Sequence, residues 1–367
     1  MRFPISKPTI TELEESYVAD AVSSGWVSSA GDYILQFEEG FARFCEVDYC
    51  VSVSSGTTGL FLALKALGIG EGDEVIVPDF SFIATANAVK QAGATPVFVD
   101  IDLNTLCIDP ITFESAITTN TRAVIPVHIY GHPAPMPEII KTARAHDILI
   151  IEDCAEAHGA AINDIPVGGW GDVGVFSFYG NKMMTTGEGG AIVLKDEGLA
   201  AKLKMLRDHA MSPTRRYWHE EIGYNFRITN LQAALGVAQL ERVKDIIQKK
   251  QEICSWYLKK LAGIDGIRLN YKADWAQPVY WMICIELVHG DIELRDKLMK
   301  ELGERGVDSR PYFYPMSDMP MYSSAETPKT HHISKIGLNL PSYYDLQQRE
   351  VDEICGVIRE SLICLGY

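Results

Sequence analysis

Between residues 49 and 152, short runs of β-branched and apolar residues alternate with longer segments of helical spacing, and this rhythm limits the chain's folding options more than any other feature. The strand candidates are Tyr49 to Val53, Glu74 to Val77, Thr95 to Val99, Arg122 to Val127 and Ile148 to Glu152. Helix candidates lie between them at Thr57 to Leu67, Ile83 to Ala92, Pro110 to Ile117 and Pro137 to His146. Strands that are apolar along most of their length need cover on both faces, and helices alternating with strands supply it. The pattern predicts an α/β fold with a mainly parallel central sheet flanked by helices.

After Glu152 the rhythm breaks. Residues 163 to 190 are rich in glycine and read as strands joined by structured loops. Helical spacing returns at Leu199 to His209 and again, over a longer stretch, at Thr229 to Leu261. Beyond it come strand candidates Ile267 to Asn270 and Val279 to Leu287 and helices at Ile292 to Arg305 and Leu346 to Leu362. The expected organisation is a large α/β domain over residues 1–245 and a smaller C-terminal α+β domain over 246–367.

Composition removes several classes of function. With 49 acidic against 33 basic side chains the formal charge is −16, and no cluster of basic residues offsets it, so a nucleic-acid partner is not expected. The first eleven residues lack the apolar core of a signal peptide, and no run of eighteen apolar residues follows, so no membrane association is expected either. The eight cysteines form no CxxC pair, and most lie in apolar runs as reduced, packed side chains. A cytoplasmic enzyme fits these facts.

Three segments carry candidate chemistry. Ser54-Ser55-Gly56-Thr57-Thr58-Gly59 follows a strand and opens a helix, where small residues and free N–H groups suit a phosphate; the same residues also make an ordinary helix cap. Ile148 to Glu156 is a buried strand running into Glu152, Asp153 and Glu156, which puts Asp153 where parallel sheets bind ligands, or else makes it a strand-end turn cap. In Ser177 to Gly190, Lys182 stands alone between an aromatic run and a glycine-rich turn. An amine there is either a nucleophile towards a carbonyl or a surface residue. Together the three match the needs of pyridoxal 5′-phosphate: a helix start for its phosphate, a carboxylate for its ring nitrogen, and a lysine for its aldehyde, with Phe82 available to stack on the ring.

The motifs Glu71 to Pro78, Ile151-Glu152-Asp153 with Ala155 and Ala157, Ser177-Phe178 with Lys182, and Gly187-Glu188-Gly189-Gly190 resemble those of the DegT/DnrJ/EryC1/StrS sugar aminotransferases, from about Pro8 to the final helix. The resemblance implies a fold-type I pyridoxal phosphate enzyme in which Lys182 bonds the cofactor and moves protons, and Asp153 pairs with the pyridine nitrogen. It also implies that Ser55, Gly56, Thr57 and Ser177 hold the phosphate and that Phe82 covers the ring. Asn225, in Gly223 to Asn230, would reach the phosphate of a neighbouring subunit, so a homodimer is implied. Glu156 stands near the cofactor's phenolic oxygen, where many relatives have glutamine, and is expected to be protonated or turned away. A branch of the family that deoxygenates sugars has histidine in place of the lysine, so Lys182 favours transamination.

The implied reaction converts a 4-keto-6-deoxy sugar nucleotide to its 4-amino product, with GDP-4-keto-6-deoxy-D-mannose as substrate and L-glutamate as donor, in the synthesis of lipopolysaccharide O-antigen. UDP- or dTDP-linked keto sugars, keto cyclitols and a non-catalytic role are the alternatives. Arg227 and Arg310 are candidates for the diphosphate or the donor carboxylate, since an arginine fork suits either. Tyr312 and Trp218 join them as candidate substrate contacts; Tyr217, Trp218, Tyr280 and Trp281 suit packing against a base or sugar, and a core or a subunit interface equally well. His128 and His132 leave a strand rather than share a helix face, and no metal is expected.

Overall fold

The computed structural model describes residues 1–367. Helices α1 (Glu12–Ser23) and α2 (Asp32–Phe44) lead into an alternating unit. It runs β1 (Tyr49–Val53), α3 (Gly56–Ala66), β2 (Glu74–Pro78), α4 (Ala84–Ala92), β3 (Thr95–Val99), α5 (Pro110–Ser115), β4 (Thr121–Val124), α6 (Met136–Ala145) and β5 (Leu149–Asp153). The short strands β6 (Ala161–Ile162) and β7 (Ile165–Pro166) precede β8 (Val173–Ser177), β9 (Gly190–Leu194) and α7 (Glu197–Arg207). The long α8 (Asn230–Leu261) then leads to β10 (Ile267–Leu269), β11 (Ala276–Gln277), β12 (Ile283–Leu287), α9 (Ile292–Glu304), β13 (Arg310–Pro311), α10 (Pro328–Ile336), β14 (Gly337–Leu340) and α11 (Gln348–Cys364).

The central sheet has seven strands in the order β1-β9-β8-β5-β4-β2-β3. All its pairings are parallel except those of β9, which runs against both β1 and β8. Alternate side chains feed two cores. Ile76, Val124, Ile150 and Val193 enter one, and Val75, Val77, Ala123, Ile151, Val175 and Ile192 enter the other. Burial on both faces explains the unbroken apolar runs in the sequence. A second, antiparallel sheet, β10-β12-β14-β13, is covered by α9 and α10.

α8 packs on α1, α2 and α11, so one helix ties the large sheet's helical cover to the C-terminal unit. The division expected at 245/246 lies within it. Two expected strands are shorter than the apolar runs that suggested them. β4 stops at Val124, two residues before Pro126, which cannot donate to a ladder, and Val127 returns only as an isolated bridge to Asp153. β12 begins at Ile283, because Tyr280 has φ +51° and breaks the extended run. Seven of the cysteines are buried, Cys364 is exposed, and none is in a disulfide.

Candidate active site

A cavity of about 410 Å³ opens at the carboxyl ends of β5 and β8 and the start of α3. Its walls include Ser55, Gly56, Thr57, Phe82, Asp153, Glu156, Ser177, Lys182 and Arg310, so residues from all three sequence segments meet there.

The start of α3 is both a cap and a cradle. Ser55 Oγ accepts the Thr58 N–H at 3.1 Å, and Thr58 Oγ1 accepts the Ser55 N–H at 3.1 Å. The capping reading therefore holds for these two groups, while the N–H groups of Gly56 and Thr57 have no intrahelical partner and remain available to an anion. Close packing demands glycine here. A Cβ on Gly56 would lie 2.8 Å from Ser177 Cβ, and one on Gly190 would lie 2.5 Å from the Ser55 carbonyl carbon.

Asp153 is buried at the cavity floor. Its Oδ2 accepts from Thr85 Oγ1 at 2.8 Å and its Oδ1 from the Ala155 N–H at 3.1 Å. Burial raises its pKa, opposed by these two hydrogen bonds and by the Lys182 charge. Glu156 is likewise buried and raised by desolvation, with Lys182 and the Tyr130 N–H pulling the other way and Asp153 adding to the rise. It does not turn away: Oε1 lies 3.5 Å from Lys182 Nζ, and Oε2 accepts from the Tyr130 N–H at 2.8 Å. Lys182 is thus a nearly buried amine facing a carboxylate, with Trp281 across its ammonium.

Phe82 projects into the cavity with 55% of its surface exposed, beside Phe313 at a centroid distance of 6.2 Å. An exposed aromatic over a polar floor is where a flat ring would lie. The anion cradle, the buried carboxylate, the amine and this ring face together fit pyridoxal phosphate.

Four candidates stand outside the cavity. Asn225 is exposed, and its Oδ1 accepts from Arg227 Nε at 3.1 Å, while Arg227 is also paired with Asp208. Trp218 is half exposed beneath the Arg215 guanidinium, 4.2 Å from its ring centre. Tyr312 is 0% exposed, and its hydroxyl donates to Glu286 at 3.3 Å, so in this structure it belongs to the core. Thr85 and Phe313 line the cavity without having been singled out for it, and so does Trp281, which the sequence left open between a base or sugar contact and a core or interface position. Thr85 had one available signal, its place on the first turn of a helix entered from a strand's carboxyl end.

The histidines are engaged in structure. His128 Nδ1 accepts from the Ala134 N–H at 2.9 Å, leaving Nε2 to donate to Glu152 at 3.1 Å. Glu152 also receives the N–H groups of Gly168, Trp170 and Gly171, each at 2.8 Å. This buried carboxylate anchors the glycine-rich loop, and its lone pairs are filled by hydrogen bonds. His132 bridges the Pro133 carbonyl and the Ala273 N–H.

Fold and site together define a pyridoxal phosphate-dependent aminotransferase. Residues 8–359 match the DegT/DnrJ/EryC1/StrS aminotransferase family, and the chain belongs to it. It is 41% identical over 366 residues to the GDP-perosamine synthase of Caulobacter vibrioides, covering 99% of each chain. To the GDP-perosamine synthase of Escherichia coli O157:H7 it is 42% identical over 359 residues, covering 97% of this chain and 98% of that one. Among solved structures, Spr1654 of Streptococcus pneumoniae in its PLP form superposes with a TM-score of 0.94 at 26% identity, covering all of both chains.

Proposed function

We propose that this protein transfers the amino group of L-glutamate to C4 of GDP-4-keto-6-deoxy-D-mannose, giving GDP-perosamine and 2-oxoglutarate. The observation that carries the chemistry is Lys182 Nζ beside Glu156 and across the cavity floor from Asp153. The similarity to two GDP-perosamine synthases over nearly the whole chain supports the substrate.

Pyridoxal phosphate supplies an aldehyde that takes up the amine and a protonated ring that withdraws electrons from the adjacent carbon. Asp153, oriented by Thr85 and the Ala155 N–H, holds the proton on the ring nitrogen. The Gly56 and Thr57 N–H groups and the Ser177 hydroxyl bind the phosphate, and Phe82 covers one ring face. With the cofactor bound, Lys182 Nζ would carry the proton from the glutamate Cα to the carbon that bears the cofactor's aldehyde, and in the second half would carry one from that carbon to C4 of the sugar. Arg310, at the cavity wall, binds the donor carboxylate or the sugar's diphosphate.

The enzyme acts as a homodimer in the cytoplasm, in the supply of an O-antigen sugar. Asn225, lying outside its own cavity, reaches the phosphate bound by the neighbouring subunit. Trp26 at 60% exposure, with Val27 and Leu35 around the start of α8, gives an apolar surface for that contact.

Borohydride treatment of the loaded enzyme is expected to fix the cofactor to Lys182, read by peptide mass mapping, and Lys182→Ala is expected to abolish turnover. Full turnover by Lys182→Ala would sink the mechanism. Turnover of UDP- or dTDP-linked keto sugars with indifference to the GDP sugar would replace the substrate.

A further inference from the structure

The Lys182 ammonium has a second neighbour with no part in the reaction as described. The ring of Trp281 lies 3.9 Å from Lys182 Nζ, and the residue is 5% exposed. An aromatic face shielded from water attracts a cation.

Both the indole and its backbone are held. Its Nε1–H donates to the Asn181 carbonyl at 2.7 Å, the peptide immediately before the lysine. Its own carbonyl accepts from Lys250 Nζ at 2.7 Å. Lys250 is buried, makes no ion pair, and spends its other bonds on the carbonyl and hydroxyl of Ser342, each at 2.6 Å. On the preceding side, the Val279 N–H donates to the Gly131 carbonyl at 3.0 Å. Gly131 has φ +93°, and a Cβ on it would lie 2.7 Å from the Trp281 nitrogen. Two turns and a buried lysine thus converge on the placement of one ring.

We infer that Trp281 is a positioning residue: with Glu156 it forms a resting place for the Lys182 ammonium while the amino group travels on the cofactor, and Lys250 sets the ring in place. The inference rests on the reading of Lys182 as the amine that bonds the cofactor. In that half of the cycle Lys182 is a free, many-rotamer side chain in an open cavity, and it must later return to the same atom. A π face and a carboxylate acting together confine it without a covalent bond.

The test is trace acetylation of the cofactor-free protein with acetic anhydride, read by mass spectrometry as the rate at Lys182 relative to the exposed Lys300. Trp281→Leu is expected to raise the relative rate about threefold, Trp281→Phe to fall between it and the wild type, and Lys250→Met to raise it in the same direction. Near-ultraviolet circular dichroism checks that each variant is folded. If Trp281→Leu does not fold, Lys250→Met carries the comparison. An unchanged rate in a folded Trp281→Leu, or in Lys250→Met where that variant stands in, overturns the inference. Borohydride fixation separates the two ideas: no cofactor on wild-type Lys182 sinks the reading of the lysine, whereas fixation with unchanged acetylation sinks only the role of Trp281.

Discussion

Glu156 Oε1 lies 3.5 Å from Lys182 Nζ while Glu156 Oε2 accepts the Tyr130 N–H at 2.8 Å. The carboxyl is held in the cavity wall by a backbone group and faces the amine directly. Burial raises its pKa above the ordinary 4.5, with Lys182 as the main opposing influence. For a carboxyl raised on folding, its contribution to stability is complete below the unfolded value and is lost as pH rises through the folded one. Glu156→Gln is therefore expected to gain thermal stability over the wild type in the cofactor-free protein as pH climbs from about 5 to about 8. A difference that stays constant with pH contradicts this.

Thr85 fixes the carboxylate at the cavity floor. Thr85→Val keeps the shape but removes the donor at 2.8 Å from Asp153 Oδ2, leaving a buried oxygen one bond short. The cost is about 1–3 kcal/mol, and the cofactor is expected to bind about tenfold more weakly. Loss of the bound chromophore on dialysis measures it; wild-type retention would show that Thr85 does not orient Asp153.

The cradle is sensitive to a single methyl group. In Gly56→Ala the new Cβ meets Ser177 Cβ at 2.8 Å, in a wall of buried backbone. Such overpacking costs about 1–3 kcal/mol and tilts the first turn of α3 away from the phosphate. Cofactor affinity is expected to fall further than the midpoint of urea unfolding, and an equal loss in both would mark the glycine as structural only.

Lys250 makes stability depend on pH in the opposite sense. Burial pushes its pKa down to about 7, whereas in the unfolded chain it titrates near 10.4. Below the folded value the charged amine carries its desolvation cost, and that cost is relieved as pH rises towards the unfolded value. The stability of the wild type relative to Lys250→Met is expected to increase from about pH 7 to about pH 9, measured by chemical denaturation at each pH. A constant gap would show the amine to be charged throughout.

The sheet strands were the readable part of the sequence, because β1, β2, β3 and β5 are short, apolar on both faces and closed by turns. Asp153 and the Ser55 to Thr57 cup could be placed as candidates because each sits at an element boundary, and Lys182 because it stands alone in the loop between β8 and β9. What escaped notice depends on distant partners. α1 and α2 carry charged faces and owe their burial to α8. β14 opens on Gly337, where a Cβ would lie 2.0 Å from the Tyr312 ring, a clash no local pattern reveals. Tyr312 looked like a ligand contact beside Arg310, yet it lies just past the two-residue β13, where its N–H donates to the Gly337 carbonyl and its ring packs against Phe80 and Tyr130. Trp281 reaches Lys182 across 99 residues of chain, through hydrogen bonds to backbone that carry no signature in the side-chain sequence.

The reversed direction of β9 has a mechanical consequence for the lysine. Had β9 run with its neighbours, the chain leaving β8 would have needed a long crossover to the opposite end of the sheet. Instead it doubles back at the same end, so residues 178–189 form a short leash whose two attachment points, Ser177 and Gly190, are themselves paired in the sheet. Lys182 can swing its side chain while both ends of its loop stay tied to the sheet. In the proposed reaction, an amine that leaves and reoccupies one carbon in every turnover would therefore be kept within reach by the sheet topology.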